Sequence, residues 1–133
     1  VNSELQEKLK LDHPILLDAV IECEDGWYKL IDKFCRKMER KYKSAVSINN
    51  IEQRTGTLRF VFTFHAVGNN LLKHTKILKL ILDTELKSEK TCEVCGKRAK
   101  LRLSDDKFVF VLCDKHLDWM KHEDLVEIEE HEL

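Results

Sequence analysis

Thr91-Cys92-Glu93-Val94-Cys95-Gly96 and Leu112-Cys113-Asp114-Lys115-His116 are the two segments from which the rest of this chain is read. Each carries two soft metal ligands with two residues between them, and seventeen residues separate Cys95 from Cys113. Cys92, Cys95, Cys113 and His116 supply the four ligands that one tetrahedral Zn2+ needs. A Cys-x-x-Cys turn sets two thiolates on one side of a tight loop, and Gly96 has the backbone freedom such a knuckle requires. Four protein ligands fill the shell, which is the pattern of one structural zinc and not of a catalytic one. Free thiols, or a redox Cys-x-x-Cys, leave the pairing of Cys113 with His116 unexplained.

Between the ligand pairs the pattern predicts a hairpin, with arms Lys100 to Leu103 and Phe108 to Leu112 around the turn Ser104-Asp105-Asp106-Lys107. A helix is expected from Asp114 through His122, so that the second pair sits in its first turn. Knuckle, hairpin and two ligands at a helix start resemble the treble-clef zinc fold.

Upstream, Trp27, Leu30, Ile31, Phe34, Cys35 and Met38 recur at helical spacing, and Tyr42 extends the face. Asp25 is the expected N-cap of this helix. Its polar side is a row of cations, Lys29, Lys33, Arg36, Lys37, Arg40, Lys41 and Lys43. Ala45 to Gln53 and Thr57 to His65 read as strands joined at Arg54-Thr55-Gly56, an antiparallel hairpin. Leu58, Phe60, Phe62 and Phe64 share one face, expected to pack on the helix. Val67-Gly68-Asn69-Asn70 reads as a turn.

A second strong helix is predicted over Leu71 to Leu86, with Leu71, Leu72, Thr75, Leu78, Ile81, Leu82 and Leu86 inward and Lys73, Lys76 and Lys79 outward. It runs almost directly into Cys92, so the zinc module is expected to dock on the core. At the start of the chain, Ser3 to Leu11 predicts a short helix that Asp12-His13-Pro14 breaks, and Ile15 to Val20 a second one. The reading is therefore an α+β fold: an antiparallel β-hairpin packed on two main helices (residues 1–90), a treble-clef-like zinc module (91–122) and an acidic tail (123–133).

Composition supports one small folded unit. Hydrophobic residues make up 43% of the 133, enough for a core, and four Gly with one Pro leave no long flexible linker. Net charge is −1, but it is segregated: residues 114–133 sum to −6 and residues 1–113 to +5. No apolar stretch approaches the length of a membrane span. Five cysteines without a disulfide plan suit a reducing compartment, so a cytoplasmic location is expected.

Glu24-Asp25-Gly26-Trp27-Tyr28 with Leu30-Ile31-Asp32, then Gly56-Thr57-Leu58-Arg59-Phe60, then the two ligand segments, are together similar to small, mostly uncharacterised proteins of bacteria and their phages. The resemblance spans roughly residues 22–117. It implies a compact α+β domain with a C-terminal zinc knuckle and no established activity. In that context the location is the cytoplasm of a bacterial host cell.

Three function classes remain. An enzyme of unrecognised type lacks a visible constellation: there is no Gly-x-Ser-x-Gly, phosphate-binding glycine loop or His-Glu-x-x-His, and residues 97–112 contain no His to serve a treble-clef nuclease. A nucleic-acid-binding module would use Lys33, Arg36, Lys37 and Arg40 on the helix with Lys97, Arg98, Lys100 and Arg102 around the knuckle. A protein-binding module, such as a phage-encoded inhibitor or modulator of a host protein, fits the small size, the metal-stapled scaffold and the segregated charge. The last is the preferred reading. A Phe-rich strand at a sheet edge also leaves a homodimer open.

Overall fold

Two long strands and the tight turn between them form the frame. β2 (Val46–Arg54) and β3 (Thr57–Phe64) pair antiparallel, Ile51 opposite Phe60, with a bulge between Ile48 and Asn50. Thr55 and Gly56 both have positive φ, 50° and 78°. Such a pair matches the right-handed twist of a two-residue hairpin. The computed structural model describes residues 1–42, 45–65, 71–120 and 126–127. The expected turn at residues 67–70 and Lys43 lie outside the described residues.

The described residues hold three α-helices, two three-stranded sheets and three short 3-10 segments. α1 (Ser3–Asp12) begins at Asn2, whose side chain accepts the Leu5 N–H at 2.8 Å. The expected helix over residues 15–20 is not formed. A single 3-10 turn, Pro14–Leu16, is followed by β1 (Val20–Glu22), which joins β2 in parallel with Ile21 opposite Ile51. Three residues are too few to show an alternation, and Ile21 is the one buried side chain among them.

α2 (Tyr28–Lys41) covers the sheet, burying Ile31, Phe34, Cys35 and Met38, and Phe34 stacks on Phe60 with ring centroids 4.3 Å apart. It enters through the 3-10 turn Asp25–Trp27, and no side chain caps it. Asp25 is not its cap: that carboxylate accepts from the backbone N–H of Asn2 at 2.7 Å and from its side-chain amide at 3.1 Å, tying α1 to the entry of α2.

α3 (Leu71–Ser88) turns a different face inward from the one expected. Ile77, Ile81, Thr84 and Ser88 are buried, while Leu71, Leu72, Leu78, Leu82 and Leu86 stand 47–77% exposed. The reason is polar. Ser88 Oγ accepts the Leu58 N–H at 2.8 Å, Glu85 the Phe60 N–H at 3.0 Å, and Glu89 the Thr57 hydroxyl at 2.7 Å. α3 thus closes the free edge of β3, and satisfying those strand N–H groups fixes its rotation.

β4 (Lys100–Leu103) and β5 (Val109–Leu112) form the second hairpin, with Arg102 opposite Phe110. The tail contributes β6 (Val126–Glu127), paired antiparallel to β4. The expected helix after Cys113 is a run of 3-10 turns, Asp114–Met120, interrupted at His116 (φ −116°, ψ 19°). No helix among the described residues is long and apolar enough to cross a membrane.

Candidate metal centre

The knuckle is shaped by its own backbone. Cys92 N–H donates to Lys97 O at 2.7 Å and Gly96 N–H to Cys92 O at 2.8 Å, which folds residues 92–97 into a closed loop. Gly96 takes φ +82°, a left-handed conformation that costs glycine little. The N–H of Lys97 reaches the Cys95 sulfur, and that of Lys115 the Cys113 sulfur. On the other side, β5 delivers Cys113, and the following turn, closed by His116 N–H on Cys113 O at 3.1 Å, swings the imidazole inward.

These two pieces bring Cys92, Cys95, Cys113 and His116 together, with their ligand atoms all within 4.8 Å of one another. Cys95 Sγ is 3.7 Å from Cys113 Sγ, and His116 Nδ1 is 3.9 Å from Cys92 Sγ and 3.1 Å from Cys113 Sγ. Bonds of 2.3 Å to sulfur and about 2.0 Å to nitrogen put tetrahedral ligand atoms roughly 3.5–3.8 Å apart. The separations of 3.1, 3.7 and 3.9 Å bracket that span, and the donor set is one that Zn2+ takes. Cys92 and Cys113 are buried and Cys95 is exposed, so the site lies at the surface with its back to the core.

Electrostatics favour a thiolate. Burial alone pushes the Cys113 thiol up, but the hydrogen bonds with His116, the Lys115 N–H and the neighbouring sulfurs outweigh it and bring the thiol down to about 6. The Cys95 thiol moves up, first through burial. A metal ion needs deprotonated sulfur, so this arrangement is partly prepared for one. Cys23 and Cys35 take no part: both are buried, and burial pushes Cys23 up to about 12 and Cys35 further in the same direction.

Several residues hold the site in ways the sequence did not show. Gly26 is packed so closely under the knuckle that a Cβ there would lie 2.1 Å from Cys92 O, and its N–H donates to Glu93 O at 2.8 Å. Trp27 Nε1 donates to Thr91 O at 2.8 Å. Glu93 is buried inside the knuckle, accepting the Val111 N–H at 2.8 Å and facing the Gln53 amide, which also donates to Val109 O at 2.8 Å. Burial pushes the Glu93 carboxyl up to about 7 against the pull of those two hydrogen bonds. Each of these contacts joins residues far apart in the chain; only the local Cys and His spacing is visible in one dimension.

The candidate cations divide. Arg102 is a correction: it is buried, donates to Leu112 O at 3.3 Å and pairs with Asp114 at 2.9 Å, so it braces the ligand-bearing turn. Arg36 pairs with Asp32 at 2.8 Å. Lys97, Arg98 and Lys100 are exposed around the knuckle, and Lys33 and Arg40 are exposed on α2, with Lys37 half-buried. No family model, curated protein or solved structure matches this chain.

Proposed function

We propose that this chain is a zinc-stapled protein-binding module. One Zn2+ on Cys92, Cys95, Cys113 and His116 would hold a treble-clef-like knuckle and hairpin, in a structural role: four protein ligands leave no open position for water or substrate. Thiols kept free of disulfides suit a reducing compartment, which in this reading is the cytoplasm.

The observation that carries the protein-binding part is the outer face of α3. Leu71, Leu78, Leu82 and Leu86 are all exposed, and Leu78 and Leu82 line a groove of about 440 Å3 with Phe60, Val61 and Phe62 of β3. Glu52, Arg54, Arg59 and Glu85 ring it with both signs of charge. An apolar centre with a mixed polar rim is how protein interfaces are built. The partner is an amphipathic segment of another protein, and the module acts by covering it, as an inhibitor or modulator does.

The test is the double variant Leu78→Asp/Leu82→Asp, which leaves the buried Ile77 and Ile81 in place. Proteins retained from a cell lysate by the wild-type chain should be lost by the variant, while the melting temperature holds. Retention unchanged by the substitutions would remove this reading. A wild-type dimer by light scattering that the variant dissociates would assign the face to a second copy instead.

A further inference from the structure

α2 carries only two acids, Asp32 and Glu39, and both face His13. His13 Nε2 meets Asp32 Oδ1 at 2.7 Å, and His13 Nδ1 meets Glu39 Oε1 at 2.7 Å. Asp32 also takes Arg36. With its two acids held on that side, the other side of α2 carries only cations among its charged residues. Lys33, Lys37 and Lys41 follow one another at i, i+4 and i+8, which places them along about 12 Å of helix.

α3 lies antiparallel beside this row. Lys41 shares a shallow hollow with Lys73 and Lys76 near the start of α3, and Lys33 and Lys37 share another with Lys87 near its end. Asp83 is the one acid lining those two hollows. Among the described residues, Lys33, Lys37, Arg40, Lys41, Lys76 and Lys87 have no ion pair. The Lys37 ammonium is held below its usual range, first by Lys33, then by desolvation and by Lys87, Lys41 and Arg40.

We infer that the groove between α2 and α3 is a binding site for the phosphate backbone of a nucleic acid. This goes beyond the protein-binding reading and does not rest on it. A linear row of cations suits a linear polyanion, whose bound counterions are released when the lysines replace them. Phosphate contacts made by lysines position the strand without reading its bases, so binding is independent of sequence. Leu72, 66% exposed, shares the hollow with Lys41, Lys73 and Lys76, so the vesicle arm of the test below separates a lipid surface from a nucleic acid. The row is built by residues of α2 and α3, whereas at the knuckle Arg102 is buried and Lys97, Arg98 and Lys100 are exposed.

The experiment uses the zinc-loaded full chain with fluorescein-labelled duplex DNA and single-stranded RNA of arbitrary sequence, followed by anisotropy from roughly 50 to 200 mM salt. Wild type should bind at the low end and weaken linearly on a log–log plot. Lys37→Ala/Lys41→Ala should flatten the slope by about two units, one per lost phosphate contact, and its melting temperature should not fall, because like charges have been removed. Lys97→Ala/Arg98→Ala at the knuckle should leave the slope unchanged. Absence of binding at low salt, a slope that follows the knuckle pair and not the helix pair, or binding to phosphatidylglycerol vesicles or an acidic protein with none to nucleic acid would overturn the assignment.

Discussion

His13 shows how much one side chain decides here. Burial alone would lower its pKa, yet the hydrogen bonds and charges of Asp32 and Glu39 outweigh burial and raise it above 6.5. A raised histidine contributes stability that is fully present below its unfolded pKa, about 6.5, and is lost as pH rises through the folded value. The neutral ring keeps one N–H donor for two carboxylates. Wild-type melting temperature should therefore decline between pH 6 and pH 9 more steeply than that of His13→Gln, which does not titrate; parallel profiles would exclude the clamp as the cause. Gly26 is the second decisive residue. A methyl group there meets backbone, Cys92 O at 2.1 Å and Glu93 C at 2.5 Å, which has little room to retreat. Gly26→Ala should cost at least about 2 kcal/mol by overpacking and weaken zinc retention, read by urea denaturation and by competition with a chromophoric chelator. A variant as stable as wild type would mean that the knuckle sits less tightly on α2 than its contacts imply.

At the scale of elements, α3 is the instructive case. Its sequence is apolar on more than one side, so periodicity alone could not say which side turns inward, and the leucines were the natural choice. Ile81 is buried as expected, but Ile77, Thr84 and Ser88 join it in place of the leucines because α3 also seals the edge of β3. Ser88→Ala removes the acceptor of the buried Leu58 N–H and should cost about 1–3 kcal/mol. Thr75→Ala, on the exposed face of the same helix, should cost far less, and equal losses in denaturant titrations would contradict the edge-sealing role. The same physics separates what could be read in the chain from what could not. α1, α2, the β2–β3 hairpin with its Thr55-Gly56 turn, the β4–β5 hairpin and the four clustered ligands follow from local spacing and turn chemistry, whereas the Asp25 cap does not form. β1, the rotation of α3, the 3-10 character of residues 114–120 and the bracing roles of Arg102, Gln53 and Glu93 depend on contacts between distant segments, which leave no periodic mark.

For the molecule as a whole, the question is whether the metal holds one hairpin or the entire fold. Val111 of β5 belongs to the main core, with Leu101 of β4 and Ala99 packed against it. Gly56, at the tip of the β2–β3 hairpin, is so close to β4 and β5 that a Cβ would lie 2.5 Å from Leu101 Cδ2 and 2.8 Å from Val109 Cγ1. Gln53, Trp27 and Gly26 each add a hydrogen bond from the core to residues 91–109. Release of the metal would leave three sulfurs and an imidazole without a common partner and would loosen β5, exposing a wall of the core. In the proposed zinc-bound form, metal binding would then be coupled to the folding of the whole chain. The zinc-loaded protein should melt in a single calorimetric transition, and stripping the metal with a strong chelator, or Cys113→Ser, should lower global stability by several kcal/mol. The near-ultraviolet signal of Trp27, buried in the core and bonded to Thr91 O, should be lost in the same transition. A core that melts at its original temperature after the metal is removed, with only the signal of residues 91–120 gone, would show instead that the zinc module folds on its own account.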